Sequence, residues 1–476
     1  MALEHSVVEA SNRPGSDQWA LSPVARDVLL GSPRGLAIVL RAVAARPALL
    51  AALTVLLICV PVGNRDVSAS IHVTPADLGS VAFVLSVLPR ILGGARLPRS
   101  PVWVAMGAAV VGVAVATIAS QDAWTSVSGF VRYLQLFVIV PLAMVVAVRE
   151  PRDQRLVCGA VLAAAVMEGA LGTWQVLTGT GASFAGRNVR AVGTFGAQDV
   201  MGMSTVVGYG LIVALGLALV LRGRSRAALL ALAALLVMPL LLSLSRGAVI
   251  ATIGAVAMML LATSPRLAVR TAVFGGAAAI VLFGVLGTAT TVGARLVTIG
   301  TSLTGPDRSV GDRYGLWSTA IAMWRDHPVT GVGVKMFPAY RDAYAPMHLS
   351  SGSDVADPGL SFRREPLLSP HDMYLLVLSE QGLLGATAFA GLLMALLVLT
   401  WRRTWQVAGL EGMPDGRLPG GHLIGSVSVG VVGWMLLNFI SSDIGGPPTV
   451  LVPVMLGLAV SWAVQPAVGA GWDLER

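Results

Sequence analysis

Apolar residues run along this chain in windows of about twenty, separated by short breaks that are polar, glycine-bearing or rich in arginine. A backbone inside hydrocarbon has no water to pair with, so windows of this length must form helices or a closed barrel. Their unbroken apolarity selects helices. The windows predict spans at 44–62, 74–92, 101–119, 127–148, 155–177, 200–221, 226–244, 247–263, 268–288, 372–400, 422–440 and 448–464. The expected fold is an all-α polytopic membrane protein with about twelve transmembrane helices. It divides into a tail over 1–43, nine spans over 44–288, a large loop over 289–370, three spans over 371–464 and a tail over 465–476.

Composition agrees. Of 476 residues, 55% are hydrophobic and 12% charged, more apolar surface than a soluble domain can bury. The formal charge of +8 does not point to nucleic acid, because the arginines are spread through the short breaks and form no single basic face. They report orientation instead. The first tail and the connections holding Arg96, Arg149, Arg224, Arg266 and Arg402 are basic, whereas Gly63–Val73, Ser120–Ser126 and Ser441–Thr449 are nearly free of positive charge. By the positive-inside rule both termini are then cytoplasmic and the large loop, between the ninth and tenth spans, lies outside. Cys59 and Cys158 sit near opposite ends of different spans and read as small buried hydrophobes.

Some polar residues do not fit a purely topological role. Arg246, in Ser243-Leu-Ser-Arg-Gly247, is squeezed between two apolar windows with hardly any loop. It is either a snorkelling arginine or a phosphate ligand, since guanidinium presents a fixed fork of donors to phosphate oxygens. Arg132, inside the fourth window, has no carboxylate at helical spacing and carries the same two readings. Arg187 and Arg190 lie in an outward connection that topology alone would leave neutral.

The large loop holds Gly311-Asp-Arg-Tyr-Gly-Leu-Trp317, then Ala320, Met323 and Trp324, a helical pattern ending at His327-Pro328. It predicts a helix along the outer membrane surface, with Arg313 one turn from Trp317 and both tryptophans toward the interface. Gly331-Val-Gly333 lacks the strand-then-helix context of a nucleotide loop and predicts a tight turn back to the membrane. His371 opens the tenth span, followed by Tyr374. Its imidazole suits proton abstraction near neutral pH, and it falls on the same side as Arg246 and Arg313. Asp443, in the last outer connection, reads as a polar cap or a group that orients a catalytic residue.

In four blocks the sequence resembles the O-antigen ligase and polymerase family, which includes bacterial O-linked oligosaccharyltransferases. They are Gly193-Thr-Phe-Gly196; Ser245-Arg-Gly-Ala248; Arg313, Trp317, His327-Pro328 and Gly331-Val-Gly333; and His371, Tyr374-Leu375, Glu380, Gly382 and Gly385. Where the family usually places Pro-Asn after the first block, Gln198 and Asp199 stand here.

The resemblance implies a membrane glycosyltransferase with a GT-C-like architecture in the cytoplasmic membrane of a bacterium. Its donor would be a polyprenyl-pyrophosphate-linked glycan and its acceptor a glycan or glycolipid, with no metal, cofactor or nucleic acid. By that likeness Arg246 and Arg313 bind pyrophosphate and His371 activates the acceptor. Arg132, Arg187, Arg190, Tyr374 and Asp443 are the candidate substrate contacts. Ligase and polymerase remain alternatives, as does a transporter or flippase of a lipid-linked glycan. The large outer loop and the lack of inverted repeats or paired broken helices weigh against transport.

Overall fold

The computed structural model describes residues 46–61, 73–184, 187–199, 201–286, 308–347, 349, 352–357, 361–410, 422–445 and 447–465. The predicted tail 1–43, residues 466–476 of the second predicted tail and the first part of the predicted outer loop, 289–307, lie outside the described residues. A helix occupies each predicted window: α1 Pro47–Leu57, α2 Pro75–Leu92, α3 Val102–Ile118, α4 Ala123–Ala147, α5 Pro151–Thr178, α6 Gly202–Val220, α7 Gly223–Leu242, α8 Arg246–Thr263 and α9 Pro265–Leu286. In the loop α10 runs over Arg308–Asp326 and α11 over Phe337–Tyr344; beyond it come α12 Met373–Leu410, α13 Gly425–Asn438 and α14 Leu451–Ala463.

Among the described residues seven helices, α2, α4 to α8 and α12, are long and apolar enough to cross a membrane. α1, α3, α13 and a segment ending in α14 are apolar but shorter. The chain is a multi-pass membrane protein. Its centre is α6, buried along nearly its whole length between α5, α7, α8 and α13. Tyr209 of α6 packs against Trp434 of α13 with ring centroids 4.6 Å apart, and the Trp434 indole donates to Thr252 of α8 at 3.1 Å.

Helix starts follow capping chemistry. Thr74 and Asp77 form a reciprocal capping box at α2, and Pro75 occupies a first-turn position where no amide is needed. The Arg132 guanidinium, which has no carboxylate at helical spacing, reaches across to Asp77 of α2 and also donates to Gln135 Oε1 at 2.9 Å. Gln135 in turn donates to Ser80 of α2 at 2.8 Å and begins a π-helical turn over Gln135–Ile139. Spacing along one helix cannot reveal a partner on another.

Four short strands were not legible as such in the sequence. β1 (Ala182–Phe184) and β2 (Arg187–Arg190) come from the connection before α6, β3 (Gly352–Asp357) and β4 (Ser361–Pro366) from the large loop. They form one antiparallel sheet in the order β2-β1-β3-β4, joining two connections far apart in sequence. The all-α expectation therefore holds for the helices and misses this sheet, whose strands are too short and too polar for an alternation signal.

α12 is broken near its start. Gly382 takes φ +61°, and the residues after α10 close the break: Val332 N donates to Ser379 O at 2.9 Å, Gly333 N to Glu380 O at 3.0 Å, and Leu383 N to Pro328 O at 2.9 Å. Gly331 and Gly333 have φ of +68° and +110°, the turn geometry expected of this motif. The Glu380 carboxylate then accepts from Lys335 N at 2.8 Å and Phe337 N at 3.0 Å, capping α11. Loop and helix are spliced through their backbones.

A Cβ at Gly382 would collide with the backbone of Val329 and Thr330. Gly382→Ala is expected to destabilise the detergent-solubilised protein by roughly 1–3 kcal/mol, whereas Gly391→Ala, where a Cβ meets nothing within 4 Å, leaves the thermal midpoint unchanged. Equal midpoints for the two variants would show that the break carries no stabilising closure.

Candidate functional site

The turn joining α7 to α8 is built from Ser243-Leu-Ser245. Ser243 Oγ donates to Leu240 O at 2.6 Å and accepts from Ser245 N at 3.2 Å, and Ser245 Oγ caps α8 through Ala248 N at 3.3 Å. Leu244 is forced to φ +54°, a region a branched side chain avoids. The result places Arg246 as the first residue of an 18-residue helix. Its guanidinium charge adds to the positive end of the helix dipole, and the first turn carries no acidic residue. Such an end favours an anion.

This turn grips the connection before α6. Arg190 Nε donates to Ser243 O at 3.0 Å, Ala191 N to Leu242 O at 3.1 Å, and Ser245 Oγ lies 3.5 Å from Met201 Sδ. On its other side α8 meets the segment after α13: Gly247 lies so close to Ser441 that a Cβ would collide with its hydroxyl. Asp443 follows two residues later.

His371 is held from three directions. Its own amide donates to Ser369 Oγ at 3.3 Å, the Trp317 indole of α10 donates to Pro370 O at 3.0 Å, and Met373 N donates to Phe439 O at 2.8 Å at the end of α13. It has φ +51°; His371 and Leu244 are two of only three non-glycine residues in the left-handed region among the described residues, the third being Lys335. Strained backbone of this kind persists where the surroundings over-determine it, often at functional sites.

Electrostatics link the pieces. Burial pushes the His371 imidazole below its usual range, the negative charge of Asp443 works against that shift, and the positive charge of Arg313 reinforces it. His371 is therefore neutral near pH 7, able to accept a proton, with a carboxylate nearby to stabilise the imidazolium that would form. Asp199, in the short turn before α6, is also within reach of Asp443: burial raises its carboxyl to about 7, backbone donors from Gly202 and Met201 oppose the rise, and Asp443 adds to it. Asp199 Oδ2 and Asp443 Oδ2 are both buried and have no hydrogen-bond partner among the described residues.

Arg190, Asp199, Arg246, Arg313, His371 and Asp443 are thus drawn together from five separate stretches of chain. Arg187 lies on β2 beside Arg190, its side chain outside the described residues. Arg132 instead ties α4 to α2. The Tyr374 hydroxyl donates to Leu436 O at 2.8 Å, and its ring meets Phe389 at a tilt and Phe439 edge-on, so it braces α12 against α13. α10 turns Leu316, Ala320 and Met323 inward, as its spacing predicts. Among the described residues no group of three or more His, Cys, Asp or Glu side chains is placed to hold a metal ion.

The chain is thus a multi-pass membrane protein that gathers arginines, a neutral histidine and two carboxylates near the ends of its helices, a mixed set of groups in which the arginines suit an anion. Residues 231–390, about a third of the chain, match the family model described as O-antigen ligase, and that stretch carries the O-antigen ligase domain. It contains Arg246, Arg313, His371, Glu380 and Gly382, while Arg190, Asp199 and Asp443 lie outside it. A search of curated proteins gave no match.

The raised carboxyl of Asp199 sets a sign for stability. A group protonated more readily folded than unfolded stabilises the protein at low pH, and that contribution is lost as pH rises from the ordinary 3.8 toward about 7. The thermal midpoint of the wild type minus that of Asp199→Asn is expected to fall between pH 5 and pH 7 and then level off. Parallel midpoints for the two proteins across this range would mean that Asp199 titrates like an exposed carboxylate.

Proposed function

We propose that the protein transfers or polymerises a glycan from a polyprenyl-pyrophosphate-linked donor onto an acceptor hydroxyl. The reaction is placed at the outer face of a bacterial cytoplasmic membrane, with both termini cytoplasmic, about twelve crossings and the loop 289–370 outside. The observation that carries this reading is the electrostatic linkage of His371 with Arg313 and Asp443, beside which Gly247, next to Arg246 at the positive end of α8, packs against Ser441. The O-antigen ligase match over residues 231–390 supports the same class of chemistry.

In this scheme Arg246 and Arg313 hold the two phosphates of the donor, and Arg187 and Arg190 are further contacts to it. The acceptor oxygen attacks the anomeric carbon as the bond from that carbon to the pyrophosphate oxygen breaks. The electron pair of that bond leaves with the lipid pyrophosphate, whose growing charge is met by fixed guanidinium donors. The acceptor proton passes to neutral His371, and Asp443 steadies the imidazolium. A single displacement inverts the anomeric centre, and the scheme calls on no metal ion.

In proteoliposomes supplied with a polyprenyl-pyrophosphate-linked glycan, Arg246→Ala, Arg313→Ala and His371→Ala are each expected to lower the transfer rate by roughly 100-fold or more at matched amounts of folded protein. Transfer that survives all three substitutions would sink the assignment, as would its absence from the wild type with every donor class tried.

A further inference from the structure

Glu168 lies well inside α5, fully buried, in a helix otherwise apolar along that stretch. A carboxylate in such a place is costly and calls for a function. Its two oxygens are both used: Oε2 accepts from Thr194 N at 2.9 Å and Oε1 from the Thr194 hydroxyl at 2.6 Å. Two helical turns further, Gln175 completes the grip on the same loop. Its Oε1 accepts from Gly193 N at 2.8 Å and Val192 N at 3.1 Å, while its Nε2 donates to Gly193 O at 2.8 Å.

Five hydrogen bonds from two side chains of one helix thus fix three consecutive residues. Gly193 sits at φ +61°, and a Cβ there would collide with the Glu168 carboxylate, so the loop backbone lies directly on the acid. The clamped segment stands between Arg190, bound to the turn before Arg246, and Asp199, which faces Asp443. Neither Glu168 nor Gln175 touches those charged groups through any described hydrogen bond.

We propose that Glu168 and Gln175 are positioning residues: they clamp the Val192–Thr194 loop onto α5 and so hold Arg190 and Asp199 in register with Arg246, His371 and Asp443. The inference rests on the glycan-transfer reading of that site. A carboxylate suits the task because one group receives both the amide and the hydroxyl of Thr194, leaving no loop donor unpaired in a water-poor interior. Released, the loop would let Arg190 and Asp199 drift without removing either charge.

The test is steady-state transfer in proteoliposomes by wild type, Glu168→Ala, Glu168→Gln and Gln175→Ala, with donor concentration varied and folded protein quantified by size exclusion and thermal midpoint. Glu168→Ala is expected to lower kcat/KM for the donor at least tenfold per folded molecule, with both a lower kcat and a higher KM, and Gln175→Ala to act in the same direction. Glu168→Gln, whose amide oxygen still accepts from Thr194, recovers most of the loss. A merely structural acid would change the folded fraction and leave kcat and KM per folded molecule alone; that result, or a Glu168→Gln variant no better than Glu168→Ala, overturns the proposal. Arg246→Ala in the same assay separates the two ideas: if it abolishes transfer while Glu168→Ala is silent, only the clamp fails, and if it too is silent, the transfer reading itself fails.

Discussion

The structure depends most on one constraint: backbone amides and carbonyls away from water must be paired. α12 violates its own ladder at Gly382, and Ser379 O and Glu380 O would be left open there. Pro328–Gly333 supplies what is missing, and the Glu380 side chain repays the loop by capping α11. The placement of the loop elements follows from that exchange. It anchors the end of α10, which fixes Arg313 and Trp317; Trp317 then binds Pro370 O and sets the entry of His371. A histidine on a long polar loop would have no such bearing.

The site shows how a membrane protein concentrates charge without placing it in lipid. Apart from Arg313, which the loop helix α10 carries, each charged side chain comes from a helix end or a connection, where the backbone itself contributes dipoles and donors. The two carboxylates with unsatisfied oxygens, Asp199 and Asp443, keep the cluster from being purely cationic. Asp199 stands within electrostatic reach of Asp443, so the cluster holds a second acid beside the first. Burial and the proximity of Asp443 both oppose its ionisation.

The helices were readable because length and apolarity are properties of contiguous sequence, and Arg246 and His371 were readable because each interrupts a helix boundary with an unexpected polar group. What escaped depends on partners distant along the chain. Arg132 looked unpaired because Asp77 stands on another helix, 55 residues away. The sheet escaped because β1 and β3 are three and six residues long and gain meaning only when paired across more than 160 residues of chain. Glu168 did carry a signal, a lone acid in an apolar window, but nothing local tells whether such an acid faces lipid, a neighbouring helix or a loop.

The splice between the loop and α12 also bears on the order in which the protein is made. The segment that completes the break, Pro328–Gly333, precedes α12 and leaves the ribosome first. When Gly382 enters the bilayer its missing partners are already present, so the broken helix need never exist as an open one. Reversing that order, as a circular permutation that begins the chain at α12 would do, would ask the helix to insert with its carbonyls bare and wait for a cap not yet synthesised.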